Sequence, residues 1–216
     1  MVLIVTYVAV DVILQFLPPH YSVVSDAESD LAVAPFGWMM QINFASRAVM
    51  SGCVVVAISL SRGRTGLRTV GSALITIAGL CSLALVFLAA DVNRPGEFGM
   101  TPRSVIGTAH VVFATTGFVA ILLGMLLLTP WLNCTIQRRT STLFLAVACL
   151  GLVALALSLV SHPQIVGLTE RLCLVGILGW AFIVCHGLRG LNRLRPERGV
   201  TSRESRSPDR RTDHII

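Results

Sequence analysis

The chain has 216 residues, 17 basic and 11 acidic, with a formal net charge of +6; 54% of its residues are hydrophobic and only 13% are charged. Typical globular domains are about a quarter charged and mean hydropathy here is +0.78, so composition excludes a water-soluble enzyme, a disordered chain and a nucleic-acid-binding domain. The pI of about 9.5 comes from arginines gathered between apolar runs and at the C-terminal end.

Six uninterrupted apolar runs are predicted, in chain order, as membrane spans: Met1–Leu17, Trp38–Leu60, Thr69–Ala90, Ser104–Thr129, Ser141–Ser161 and Leu168–Leu188. About twenty apolar residues cross the ~30 Å hydrocarbon core as a helix. In lipid each backbone amide must be paired within its own segment, and no segment alternates polar and apolar residues as a barrel strand does. The first run is the shortest. Its flank lacks the basic residues of a signal peptide, the first basic residue being Arg47, so it reads as a retained helix. The six-span membrane domain covers residues 1–188.

Arginine placement predicts the orientation. Arg62, Arg64 and Arg68 follow the second span, Arg138 and Arg139 follow the fourth, and eight arginines from Arg189 to Arg211 follow the sixth; the alternate loops hold only Arg94 and Arg103. Cytoplasmic loops are the basic ones, so both termini are expected in the cytoplasm, as an even span count requires. Every basic residue is Arg and none is Lys, which reads as a GC-rich bacterial genome and places the multi-pass chain in a bacterial inner membrane. The stretch Arg189–Ile216 has no apolar periodicity and reads as a basic, disordered cytoplasmic tail lying against anionic lipid head groups.

The six cysteines do not form a metal or disulfide framework. Cys53, Cys81, Cys149, Cys173 and Cys185 lie inside spans and Cys134 in a cytoplasmic loop, so they read as small packing residues. A haem between His110 and His186 is excluded by depth: the helical rise puts them ~9 Å and ~27 Å below the outer face. No cofactor is expected.

Ionisable groups in a membrane are costly and default to functional candidates. Asp30, Asn43, Arg47, Asp91, His110, Glu170 and Arg171 all fall in the predicted outer half or just above it and form a candidate outward-facing polar cavity. Asp11 joins them, ~9 Å deep against ~14 Å for Arg47, which makes Asp11 and Arg47 a candidate intramembrane ion pair. His20, Asp30, Asp91 and His110 are the weak candidates for a metal site. The first outer loop adds Asp26 and Glu28. Gly107, His110, Ala114, Gly117, Ile121 and Gly124 share one helix face, and small residues on a face let helices approach closely in lipid, so His110 is expected to face a neighbouring helix. Gly176, Gly179, Ile183 and His186 form a similar stripe.

Several segments carry a likeness. Ser29-Asp30-Leu31-Ala32, then Pro35-Phe36-Gly37-Trp38 and Asn43-Phe44, followed by Asp91, by Gly107 and His110 as G-x-x-H, and by Gly167-Leu168-Thr169-Glu170-Arg171-Leu172 with Trp180 downstream, resemble in order and spacing the bacterial "domain of unknown function 998" family. The resemblance runs from about His20 to Leu194. It implies a six-helix integral membrane protein with no established activity and no agreed catalytic residues. Ala89-Ala90-Asp91 departs from that family's Thr-Asp pair, and Arg47 matches no family position.

Three functions are consistent with this reading. The first is binding or moving a small molecule, lipid or ion through the polar cavity; six helices in a small chain would then need an oligomer to make a pathway. The second is a membrane-embedded lipid-modifying hydrolase using Asp30, Asp91 and His110 as metal ligands or acid and base, although no H-E-x-x-H, G-x-S-x-G or H-x-x-x-H motif is present. The third is a non-catalytic accessory subunit packed against another membrane protein. The first is favoured, and chemistry is the lesser expectation.

Overall fold

The structure, a computed structural model, describes residues 1–17, 21–33, 35–60, 65–91, 101–132 and 135–193. Among them the chain is all-helical, with α1 (Val2–Leu14), α2 (Gly37–Ser59), α3 (Gly66–Leu85), α4 (Val105–Leu128), α5 (Thr135–Ser161) and α6 (Val166–Arg193), and short 3₁₀ turns at Glu28–Ala32, Thr129–Trp131 and Pro163–Ile165. Helices α2 to α6 are long and apolar enough to cross a membrane.

The first helix departs from the expected run to Leu17. It has 13 residues and closes at Leu14, ~20 Å at the helical rise and short of the hydrocarbon core. Gln15 closes it with its backbone amide donating to Asp11 O at 3.2 Å, its Nε2 also donates to Asp11 Oδ2 at 2.7 Å, and Pro18 follows, disfavouring helix just before it. α3 likewise stops at Leu85 rather than Ala90, which leaves the Leu88 carbonyl outside the helical ladder and able to accept from His110 Nδ1 at 2.8 Å.

Two close-packed hairpins build the bundle, α3 with α4 and α5 with α6, while α2 lies against both α3 and α6 and α1 packs on α2. Bilayer lipid is as apolar as the side chains, so helix association depends on close contact through small residues. At Gly176 a Cβ would stand 2.4 Å from the Ala148 backbone nitrogen, so α5 and α6 touch backbone to backbone there. On α4 the predicted stripe faces α3: a Cβ at Gly117 would meet Cys81, and one at Gly124 would meet Ile75. The largest core cluster joins Val54, Ile75, Met125, Leu128, Ala148 and Trp180 from five helices. A polar link crosses it: Trp180 Nε1 donates to Thr129 Oγ1 at 2.8 Å, and Thr129 in turn donates to Met125 O at 2.7 Å.

Candidate functional site

The site begins with a loop docking on a helix end. Between α1 and α2, residues 21–33 fold onto the start of α6: the Leu168 amide donates to Val24 O at 3.1 Å, and Arg171 Nη1 donates to Val23 O at 3.0 Å and Asp26 O at 3.4 Å. Arg171 Nη2 also donates to the Tyr21 hydroxyl. Gly167 makes this possible, because a Cβ there would stand 2.2 Å from Asp26 O. Docking pushes Glu28 into the bundle, where it is 1% exposed and meets Glu170, 5% exposed. The Glu28 amide donates to Glu170 Oε2 at 2.8 Å, and the Tyr7 hydroxyl of α1 donates to Glu28 Oε1 at 2.5 Å. Asn43 Nδ2 donates to Tyr7 O at 3.2 Å, tying α2 to the same point.

Taking a carboxyl out of water favours its neutral form. Burial, reinforced by the charges of Asp11 and Glu170, pushes Glu28 up to about 8 despite the opposing Arg47 guanidinium. Asp30 at the rim is pushed up to about 7, by burial first and then by Glu170 and Asp26. Burial also raises the Tyr21 phenol. Glu28 Oε2 and Asn43 Oδ1 are buried with no hydrogen-bond partner among the described residues.

The expected Asp11–Arg47 pair is not formed. Asp11 Oδ1 lies 3.9 Å from Arg171 Nη2, because the docked loop and the start of α6 bring Arg171 to it. Arg47 turns the other way. Its guanidinium lies 5.5 Å from the Phe44 ring centroid and 5.9 Å from that of Phe118, and Nη2 donates to Ser82 Oγ at 3.4 Å. Tyr7, Glu28 and Glu170 act on it electrostatically, but no carboxylate among the described residues lies within ion-pair distance.

Asp91 is a helix cap. Its Oδ2 accepts the Arg103 and Ser104 amides at 2.6 and 2.7 Å and its Oδ1 the Ser104 hydroxyl at 2.9 Å, and Ser104 Oγ then accepts the Gly107 amide at 2.8 Å. These bonds hold the Asp91 carboxyl below the usual range. A Cβ at Gly107 would collide with that carboxylate, which explains the glycine. His110 is buried, edge-on to Phe44 at 6.2 Å; since Leu88 O can only accept, Nδ1 carries the proton and Nε2 has no hydrogen-bond partner among the described residues. His186 is exposed and stacks on Phe182. His20 and the tail beyond Arg193 lie outside the described residues, and among those described no three His, Cys, Asp or Glu side chains are grouped to hold a metal ion.

The expected polar cavity is replaced by two adjoining features. Asp11, Glu28, Glu170 and Arg171 are packed into the closed cluster just described, while the open space is an apolar cleft between α2, α3, α4 and α6. Of the seven residues expected in the cavity, Arg47 lines this cleft, at the end that carries Ser82; Val54, Ile75, Phe118 and Ile177 are among its apolar walls.

The family described as "Protein of unknown function (DUF998)" matches residues 1–187. The chain belongs to the DUF998 family. No curated protein and no solved structure matches it. In this DUF998 protein the loop holding Ser29 and Asp30 docks on the helix start holding Gly167, Glu170 and Arg171. Of the cluster, Tyr7 is absent from the sequence-based site, and Glu28 enters it only as one of the acids of the first outer loop. Tyr7 and Asp11 are spaced i, i+4 on an otherwise apolar helix, which places both on one face and was the available signal. For Glu28, nothing in its local sequence distinguishes it from Asp26 or Asp30.

Proposed function

We propose that this DUF998 protein binds an amphiphilic anion, a single-chain lipid or similar small molecule, with its head group on Arg47 and its chain in the cleft. One observation carries this reading: a guanidinium opens into an apolar cleft inside the bundle with no carboxylate within ion-pair distance among the described residues. A cation in a low-dielectric interior is costly unless an anion or strong acceptors meet it. Among the described residues its contacts are two aromatic faces, a long bond to Ser82 and the Tyr7 hydroxyl, none of them a carboxylate. Ser51 and Ser82 add hydroxyls at the same end, and the remaining lining is almost wholly hydrocarbon.

In this reading the bilayer is a bacterial inner membrane, the arginine-rich loops and the C-terminal tail are cytoplasmic, the tail rests on anionic head groups, and a second copy or another membrane protein completes any pathway. The arginine asymmetry supports the orientation; a C-terminal reporter active in the periplasm would refute it. The test of binding is titration of a fluorescent alkylsulfonate into the protein held in phosphatidylcholine nanodiscs. Arg47→Gln is expected to weaken binding about ten- to a hundredfold, the value of a charged hydrogen bond of ~1.5–3 kcal/mol. Equal binding by Arg47→Gln, or equal binding of an uncharged alkyl alcohol of the same length, would overturn the proposal.

A further inference from the structure

We infer that the cleft loads its anion together with one proton, carried by the buried carboxyl of Glu28. The inference rests on the anion reading of the Arg47 cleft and adds what the neighbouring cluster does when the anion arrives.

The cluster contains three buried or half-buried acids and two cations. Asp11 has Arg171 at 3.9 Å. Glu170 accepts the Glu28 amide at 2.8 Å. Glu28 and Arg47 remain, and the Tyr7 hydroxyl links them: it bonds Glu28 Oε1 and acts also on Arg47. Glu28 is 1% exposed, and its second oxygen is buried without a partner among the described residues. An unsolvated, unpartnered oxygen is far less costly on a carboxylic acid than on a carboxylate. The titratable groups that act on it are Tyr7 and Asp11 from α1, Tyr21 from the loop, Arg47 from α2, and Glu170 and Arg171 from α6, while Asp26 and Asp30 of the same loop act on each other and Asp30 on Glu170.

Among these, Asp11 and Glu170 favour the protonated form of Glu28, while Arg47, and less strongly the hydrogen bond from Tyr7, oppose it. An anion seated on Arg47 cancels the guanidinium's opposition, so Glu28 takes a proton from water: one O–H bond forms at the carboxylate, and hydronium becomes water. Coupling between two sites is reciprocal. A proton on Glu28 therefore frees Arg47 for the anion, and a charged Glu28 competes for it through Tyr7. The loaded cleft gains no net charge, which in a membrane interior is the least costly state. With Glu28 near 8, the empty site changes protonation close to neutral pH.

The experiment uses the full chain in phosphatidylcholine nanodiscs with the same alkylsulfonate, whose head stays charged throughout. Affinity is expected to fall up to about tenfold per pH unit above the Glu28 value of about 8, as for one linked proton, and calorimetry at about pH 9.5 in two buffers of different ionisation enthalpy is expected to read an uptake approaching one proton. Glu28→Gln is expected to bind with a flattened pH profile. Wild-type binding without pH dependence or proton uptake would overturn the inference while leaving the anion site standing; so would an unchanged slope in Glu28→Gln. No binding at any pH would overturn both. The calorimetry needs no variant, so a misfolded Glu28→Gln protein does not leave the matter open.

Discussion

A carboxylate near the end of a membrane helix can serve chemistry or geometry, and its partners decide which. Asp91 uses both oxygens on the amides and hydroxyl that open α4, so it belongs to the helix end, where acceptors satisfy otherwise orphaned amides. Asp91→Ala is therefore expected to lower the thermal midpoint in detergent while leaving alkylsulfonate affinity unchanged. Its folded carboxyl is held below the usual value, so the stability it contributes is complete above the unfolded value near 4 and is lost as pH falls through the folded one. Melting curves of wild type and Asp91→Ala should converge at strongly acidic pH; parallel curves would refute the cap.

At the scale of the elements, the α5–α6 pair depends on backbone approach. Gly176→Ala forces the Ala148 backbone away from a Cβ 2.4 Å distant, and overpacking of this kind costs about 1–3 kcal/mol. Gly52, exposed on α2, has nothing within 4 Å of the corresponding position. Gly52→Ala is expected to be neutral or stabilising by up to ~1 kcal/mol, the helix-propensity difference. Unfolding of the two variants in mixed micelles tests the contrast, and equal behaviour would mean that the helices meet elsewhere.

For the whole molecule, the buried acids predict an unusual pH dependence. Glu28, pushed up to about 8, and Asp30, pushed up to about 7, bind protons more tightly folded than unfolded. Their favourable contribution is complete below the unfolded values near 4 and is lost as pH rises through 7 and 8, on the order of a few kcal/mol in total. The protein is expected to be more stable at about pH 5.5 than at about pH 9, with Glu28→Gln flattening the upper part of the curve. A wild-type midpoint that rises with pH over this range would contradict the burial of these acids.

Long apolar runs and glycine spacing were enough to read the all-helical class and the inward stripe on α4, because in lipid the need to pair every amide leaves the backbone little choice. Sequence also drew Asp11, Asn43, Arg47, His110, Glu170 and Arg171 toward one end of the bundle. The docking of residues 21–33 on α6 was decided only by the tertiary structure, and with it the burial of Glu28, the choice of Arg171 over Arg47 as the partner of Asp11, and the opening of Arg47 onto an apolar cleft. Depth along a helix follows from residue count, whereas the pairing of charges depends on which way each helix is turned and on where a short loop folds back.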